Sequence, residues 1–93
     1  MNSSNIQSVA KRVIEIEAEA VSLMGNRIDA KFESAVQSIL QCSGRLIVSG
    51  MGKSGLISQK IASTMASTGT PSHFVHPAEA THGDLGMITK EDI

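Results

Sequence analysis

The stretch that decides the fold is residues 44–76, GRLIVSGMGKSGLISQKIASTMASTGTPSHFVH. It opens with a short apolar run at Leu46–Ser49, bounded by glycines and without alternation, which is typical of a strand buried on both faces of a parallel sheet. A segment that we name the glycine loop, Gly50–Gly55, comes next, and apolar residues at helical spacing then lead to Gly69. Ser72–His76 predicts a second strand, stopped by a proline. A strand, a loop, a helix and a strand in this order predict a parallel βαβ unit. The helical stripe is formed by Ile57, Ile61, Ala62, Met65 and Ala66.

The residues before this unit predict two helices. In the first, apolar positions repeat in steps of three and four, the spacing of a heptad seam. Ser3 or Ser4 is expected to cap its start, and the pair Gly25-Asn26 to end it in the left-handed conformation. Asp29 predicts the N-cap of the second helix. The seam residues are Ile6, Val9, Val13, Ile16, Ala20 and Leu23.

Length and composition limit what the chain can be. Its 93 residues make at most one small domain, divided into a helical pair at 1–43 and a βαβ segment at 44–93. A net charge of −1 provides no basic surface for nucleic acid. The single cysteine, Cys42, favours a reducing cytoplasm. Because no leader peptide or membrane-spanning run is apparent, we expect a cytoplasmic protein that is not bound to a membrane.

The glycine loop carries the first chemical hypothesis. Gly50, Gly52 and Gly55 fit G-x-G-x-x-G, and they lie between a strand and a helix, where glycines allow a backbone to approach a phosphate. Val75 and His76 stand where a nicotinamide site would need an acidic residue, which disfavours that cofactor. The spacing also fails the P-loop pattern, so nucleoside triphosphates are disfavoured. A turn that only packs the helix on the strand remains the alternative.

Lys53 lies inside this loop at the start of the helix. A cation there opposes the helix dipole, so its position favours a compensating anion such as a phosphate or a carboxylate. Ser49, Ser54 and Thr70 could donate hydroxyl groups to a phosphate, although each also suits an ordinary strand end, cap or turn.

A cluster of titratable residues follows the second strand. His76, Glu79, His82 and Asp84 lie beyond its carboxyl end, where open α/β sheets bind ligands. An imidazole can act as a general acid or base near neutral pH. Two histidines and a carboxylate could also hold a metal, although the spacing of six residues does not favour this.

Four strings identify a family. GMGKSG at 50–55, ASTGTP at 66–71, FVHPAEA at 74–80 and HGDLGM at 82–87 closely resemble the sugar isomerase (SIS) domain of bacterial D-arabinose-5-phosphate isomerases. The resemblance covers the second half of the chain, and the helical first half agrees in layout. It implies a three-layer α/β fold of flavodoxin-like strand order, of which this chain is the front half: two helices, then the βαβ unit.

The resemblance also implies a reaction. The family interconverts D-ribulose 5-phosphate and D-arabinose 5-phosphate through an enediol, toward Kdo and lipopolysaccharide, without a required cofactor. By position, Lys53 is implied as a catalytic residue. Gly69-Thr70 is implied as a substrate-contacting pair, and His82 as a substrate-contacting histidine. His76 is implied to touch the substrate and to bind zinc as an inhibitor. With the loop residues, the expected substrate-binding set is Ser49, Gly50, Gly52, Ser54, Gly69, Thr70, His76 and His82.

The resemblance also implies a third strand that ends in a serine-rich phosphate loop with a catalytic glutamate, then further strands with another catalytic glutamate and a histidine, and usually a pair of CBS modules. None of these occurs in these 93 residues. We therefore expect the chain alone to be inactive, with a non-catalytic sugar-phosphate-binding or oligomerising fragment as the alternative. In the order 2-1-3-4-5, one edge of Leu46–Ser49 is expected to lack a partner. That edge and the heptad seam predict a homo-oligomer.

Overall fold

A computed structural model describes residues 2–93. These residues form two compact units, and the boundary after Ala35 falls within the second helix. The helices are α1 (Ser3–Met24), α2 (Ala30–Leu40), α3 (Gly52–Ser67) and α4 (Pro77–Thr81), the strands are β1 (Leu46–Val48) and β2 (Ser72–Phe74), and 3₁₀ turns lie at Gly25–Arg27 and Asp84–Met87.

The first unit contains α1, and its ends differ from the prediction. Asn2, rather than a serine, is the N-cap, because its side-chain oxygen accepts a hydrogen bond from the Asn5 N–H at 2.9 Å. Gly25 has a φ of −57°, so it continues the right-handed helical conformation instead of adopting the left-handed one. The chain then tightens into a 3₁₀ turn. The heptad seam of α1 is exposed along its length.

Asp29 caps the second helix as predicted. Its carboxylate accepts hydrogen bonds from the backbone N–H groups of Lys31 at 3.0 Å and Phe32 at 3.2 Å. These are amides of the first turn of α2, which have no partner within the helix itself.

The second unit contains the predicted parallel βαβ arrangement. β1 and β2 pair in parallel, with Leu46 opposite Ser72 and Val48 opposite Phe74. β2 ends at Phe74 and not at His76, although the Val75 N–H still donates to the Val48 carbonyl at 3.0 Å. This extra bond keeps the carboxyl ends of the two strands together.

The face of α3 that packs on the strands differs in part from the predicted stripe, of which Ala62 is buried as predicted. Gly55, Ser58 and Ala62 are its buried residues, while Ile57 remains 60% exposed. Small residues at this three- and four-residue spacing let the helix backbone come close to the sheet. The larger apolar stripe that includes Ile61 therefore lies on the exposed side of α3.

The other edge of β1 is partly occupied, contrary to expectation. The Ile93 N–H donates to the Arg45 carbonyl at 3.0 Å, and the Ile47 N–H donates to the Ile93 carbonyl at 2.7 Å. This pair of bonds is the pattern of parallel strands, with Ile93 opposite Leu46. The prediction of an unpaired row is therefore wrong for the amino end of β1.

A buried carboxylate anchors this contact. The side chain of Asp92 is 2% exposed. It accepts hydrogen bonds from the backbone N–H groups of Arg45 at 2.7 Å and Thr89 at 2.8 Å, and the Arg45 guanidinium lies 3.5 Å away. The Thr89 N–H first, and then the Arg45 N–H and guanidinium charge, hold the pKa of Asp92 below its ordinary value of 3.8.

This shift predicts an acid-dependent contribution to stability. Because the folded state lowers the pKa of Asp92, the contribution is complete above the unfolded pKa and is lost as the pH falls through the lower folded value. We expect the free energy of unfolding of the wild type to fall more steeply below about pH 4 than that of Asp92→Asn. Urea unfolding at a series of pH values measures this. Asp84→Asn is the control, since its carboxylate accepts no hydrogen bond from residues 2–93, and parallel curves for Asp92→Asn and the wild type would contradict the prediction.

No helix in the described part of the chain is both long enough and apolar enough to cross a membrane.

Candidate functional site

The predicted site residues gather mainly at the carboxyl edge of the two strands. Ser49 and Gly50 follow β1, and His76 follows β2 after a single residue. The Ser49 hydroxyl donates to the carbonyl of Val75, so the two strand ends are joined by a side chain as well as by the backbone. Parallel sheets place ligands at this edge.

The glycine loop has a backbone that other residues would not tolerate. Gly52 has a φ of +58°, in the left-handed region that favours glycine, and it begins α3. Gly50 and Gly55 serve a different purpose, because a Cβ on Gly55 would lie 2.6 Å from the Gly50 carbonyl oxygen. Two of the three glycines, Gly50 and Gly55, are therefore needed for packing the helix on the strand, which was the alternative interpretation of this loop. The same tight turn also brings the start of α3 to the strand edge.

The start of α3 presents free backbone donors. Met51 is the N-cap and provides no side-chain hydrogen bond, while the Gly55 N–H bonds to the Met51 carbonyl at 3.1 Å. The N–H groups of the three residues between them, Gly52, Lys53 and Ser54, have no acceptor among residues 2–93. Free amides and the positive end of the helix dipole together suit an anion.

Lys53 adds a positive charge to these donors. Its side chain is exposed, and it forms no ion pair with any carboxylate in the part of the chain that the structure describes. The compensating anion expected from the sequence is therefore not a side chain of these residues. A bound phosphate would satisfy both the lysine and the free amides.

His76 lies beside this edge and has a defined orientation. It is the N-cap of α4, where Pro77 occupies the first turn, and its Nδ1 accepts a hydrogen bond from the Ala78 N–H at 3.1 Å. The imidazole also lies edge-on to the ring of Phe74, with centroids 6.4 Å apart. The pattern did not predict this cap, since histidine is not a preferred N-cap residue, although a proline in the next position is a signal for a helix start.

His82 lies at the other end of the same helix. It is the C-cap of α4, five residues beyond the start, and it is exposed. Within residues 2–93 no three His, Cys, Asp or Glu side chains come together in a group that could hold a metal ion. The two histidines therefore form no metal cluster with Glu79 or Asp84.

Gly69 and Thr70 do not join the other site residues. They precede β2, and the Pro71 carbonyl accepts from Leu46 at the amino edge of the sheet. α3 has 16 residues, so at 1.5 Å per residue it is about 24 Å long. The glycine loop leads into its start, whereas Gly69 and Thr70 follow its end.

Ser58 was not identified from the sequence, although it is the buried polar side chain nearest to the loop. It is 8% exposed, and its hydroxyl lies against the backbone at both ends of the glycine loop. The sequence marked Ser58 only, with Leu56, as a departure from the family pattern, where relatives often have glycine and histidine respectively, and as a change in packing at the helix start. Its spacing, three residues from Gly55 and four from Ala62, also places it on the small-residue face of α3.

Comparison with known proteins identifies the family of the chain. Residues 39–93 match the family model described as the SIS domain. Arabinose 5-phosphate isomerase KdsD of Yersinia pestis is 52% identical over 89 residues, covering 96% of this chain and 27% of that protein. The enzyme of the same name from Pseudomonas aeruginosa is 56% identical over 84 residues, covering 90% of this chain and 26% of its own length.

A solved structure shows the same fold. The Escherichia coli CFT073 protein c3406, solved in complex with arabinose 5-phosphate, superimposes with a TM-score of 0.91 at 41% identity, covering 100% of this chain and 50% of that one. The present chain thus spans about a quarter of the curated relatives and half of this solved chain. The matched family model, the shared fold and the glycine loop lead to one conclusion: the chain belongs to the SIS domain family.

Proposed function

We propose that this chain forms part of a sugar-phosphate isomerase site that acts on D-arabinose 5-phosphate and D-ribulose 5-phosphate, and that its glycine loop contacts the phosphate. The observation that carries the proposal is the start of α3, where free amides at Gly52–Ser54 meet the unpaired cation of Lys53. An enzyme for a phosphorylated sugar needs such a site, because the phosphate supplies binding energy away from the reacting carbons. The KdsD relatives and the arabinose 5-phosphate complex of the E. coli protein support this choice of ligand.

The described residues have different roles in the proposed reaction. The amides of the glycine loop bind the phosphate, and Lys53 neutralises its charge. His76, held by its cap bond and by Phe74, is placed to contact the sugar at the strand edge. The reaction itself moves a proton between neighbouring carbons through an enediol, whose developing charge requires electrostatic stabilisation.

The chain alone is expected to bind the substrate without converting it. We expect D-arabinose 5-phosphate to shift the amide NMR signals of Gly52, Lys53 and Ser54, because these are the free donors. We expect no detectable ribulose 5-phosphate in the same sample, because residues that act as a unit lose catalysis together when some are missing. Titration of the ¹⁵N-labelled chain, with product analysis afterwards, measures both.

Unphosphorylated D-arabinose is the matched control, and it should leave these three amides unchanged. Shifts elsewhere in the chain only, or equal shifts with both sugars, would contradict the phosphate assignment. Turnover by the 93-residue chain would contradict the expected inactivity.

The alternative is that the site binds a sugar phosphate but takes no part in catalysis. A fragment that binds sugar phosphates without supporting catalysis would use the same amides and Lys53. A homo-oligomer and a cytoplasmic location remain predictions from the residue pattern. Zinc inhibition through His76 and a role toward Kdo remain predictions from the resemblance.

A further inference from the structure

Ser58 is a buried hydroxyl placed directly under the glycine loop. Its Oγ lies 3.1 Å from the Ser49 carbonyl oxygen and 2.8 Å from that of Ser54. The first carbonyl belongs to the residue that precedes the loop, and the second to the first turn of α3. A single side chain therefore contacts the backbone on both sides of the loop.

The contact with Ser49 differs from the hydrogen bond that a serine within a helix usually makes. A serine within a helix often bonds to the carbonyl four residues earlier, and the Ser54 contact is of this kind. The Ser49 carbonyl lies outside the helix, nine residues earlier in the chain. Because the hydroxyl has a single hydrogen, the two carbonyls share it, and this shared contact ties the end of β1 to the body of α3.

The space around Gly50 also shows that Ser58 lies close against the glycine loop. A Cβ on Gly50 would lie 2.8 Å from the Ser58 Oγ and 2.9 Å from the Ser54 carbonyl oxygen. Gly50 therefore rests on the Ser58 hydroxyl with no room to spare. The Ser58 hydroxyl and the Ser54 backbone therefore support the loop at Gly50, while the amides of Gly52–Ser54 have no acceptor among residues 2–93.

We propose that Ser58 is a positioning residue that holds the glycine loop in the conformation that presents the free amides of Gly52–Ser54 to a phosphate. This role rests on the proposed function for its ligand, but the hold on the loop exists without the ligand. Ser58 itself does not touch the substrate. It acts through the Ser49 carbonyl, the Gly50 backbone and the first turn of α3.

Hydrogen exchange tests the hold on the loop in the free protein. In Ser58→Ala we expect the Gly55 amide, bonded to the Met51 carbonyl, to exchange at least severalfold faster, because the loop opens more often. The amide of Met65, in the body of α3, should be unchanged. Ser63→Ala is the control, since Ser63 is an exposed serine of the same helix.

Titration with inorganic phosphate tests the consequence for binding. Ser58→Ala should bind phosphate about two- to tenfold more weakly than the wild type, the range expected from one net hydrogen bond, while Ser63→Ala should bind normally. Exchange that is unchanged, or that rises equally along all of α3, would overturn the proposal, and so would wild-type phosphate affinity in Ser58→Ala. If the wild type binds no phosphate, the proposed function is wrong, and so is the role of Ser58 in presenting the amides to a phosphate. If the wild type binds phosphate and only Ser58→Ala loses affinity, the proposed function and the role of Ser58 are both supported.

Discussion

Replacing Lys53 by alanine is expected to weaken the binding of D-arabinose 5-phosphate by about 10- to 150-fold. A hydrogen bond to a charged group contributes about 1.5–3 kcal/mol, and this difference in free energy corresponds to that range of affinity. The effect is large because no carboxylate among the described residues shares the lysine charge. Calorimetric titration of the wild type and Lys53→Ala measures it.

Lys60→Ala is the matched control for this change. Lys60 is an exposed lysine of α3, seven residues further along the helix and away from its start. Its removal changes the net charge by the same amount, so a general electrostatic effect would appear equally in both variants. Equal losses, or no loss in Lys53→Ala, would show that Lys53 does not bind the phosphate.

Replacing Gly55 by alanine is expected to destabilise the chain by about 1–3 kcal/mol, the usual cost of forcing an added group into a packed interior. The added Cβ would lie 2.6 Å from the Gly50 carbonyl oxygen and 3.1 Å from its carbon. Both atoms belong to the backbone, so no side chain can move aside to make room. Urea unfolding measures the loss in free energy.

Gly86→Ala is the control for the glycine effect. Gly86 lies in the same compact unit, its φ is not in the left-handed region, and a Cβ there would meet nothing within 4 Å. We expect a change near zero. A Gly55→Ala variant as stable as Gly86→Ala would show that the helix and the loop can separate at little cost, and it would weaken the Ser58 proposal as well.

Local pattern was sufficient for the elements that carry their own signal. The apolar run at Leu46, the glycine loop and the strand at Ser72 were predicted in the correct order, because glycines and apolar runs mark strand ends directly. Asp29 was predicted as a cap because a carboxylate before a helical stripe is a local signal.

Other features depended on contacts that no local pattern reports. The buried face of α3 was predicted to include Ile57 and Ile61 as well as Ala62, because hydrophobicity indicates which residues can be buried and not how closely a backbone can approach. The glycine loop draws α3 onto the strands, so the small face with Ser58 and Ala62 is the one that fits. The contact between Arg45 and Asp92 joins residues 47 apart, and the sequence has no periodicity that would reveal it.

The cap bond of His76 determines how that residue can address a ligand. Because Nδ1 accepts from the Ala78 N–H, the neutral ring carries its proton on Nε2. The free side of the imidazole is then a hydrogen-bond donor, suited to a sugar oxygen and unsuited to accepting a proton. A zinc ion on Nε2 would require the other tautomer, whose Nδ1–H would face the Ala78 N–H donor to donor. Zinc binding through Nε2 of His76 would therefore be incompatible with the hydrogen bond by which the same ring caps α4.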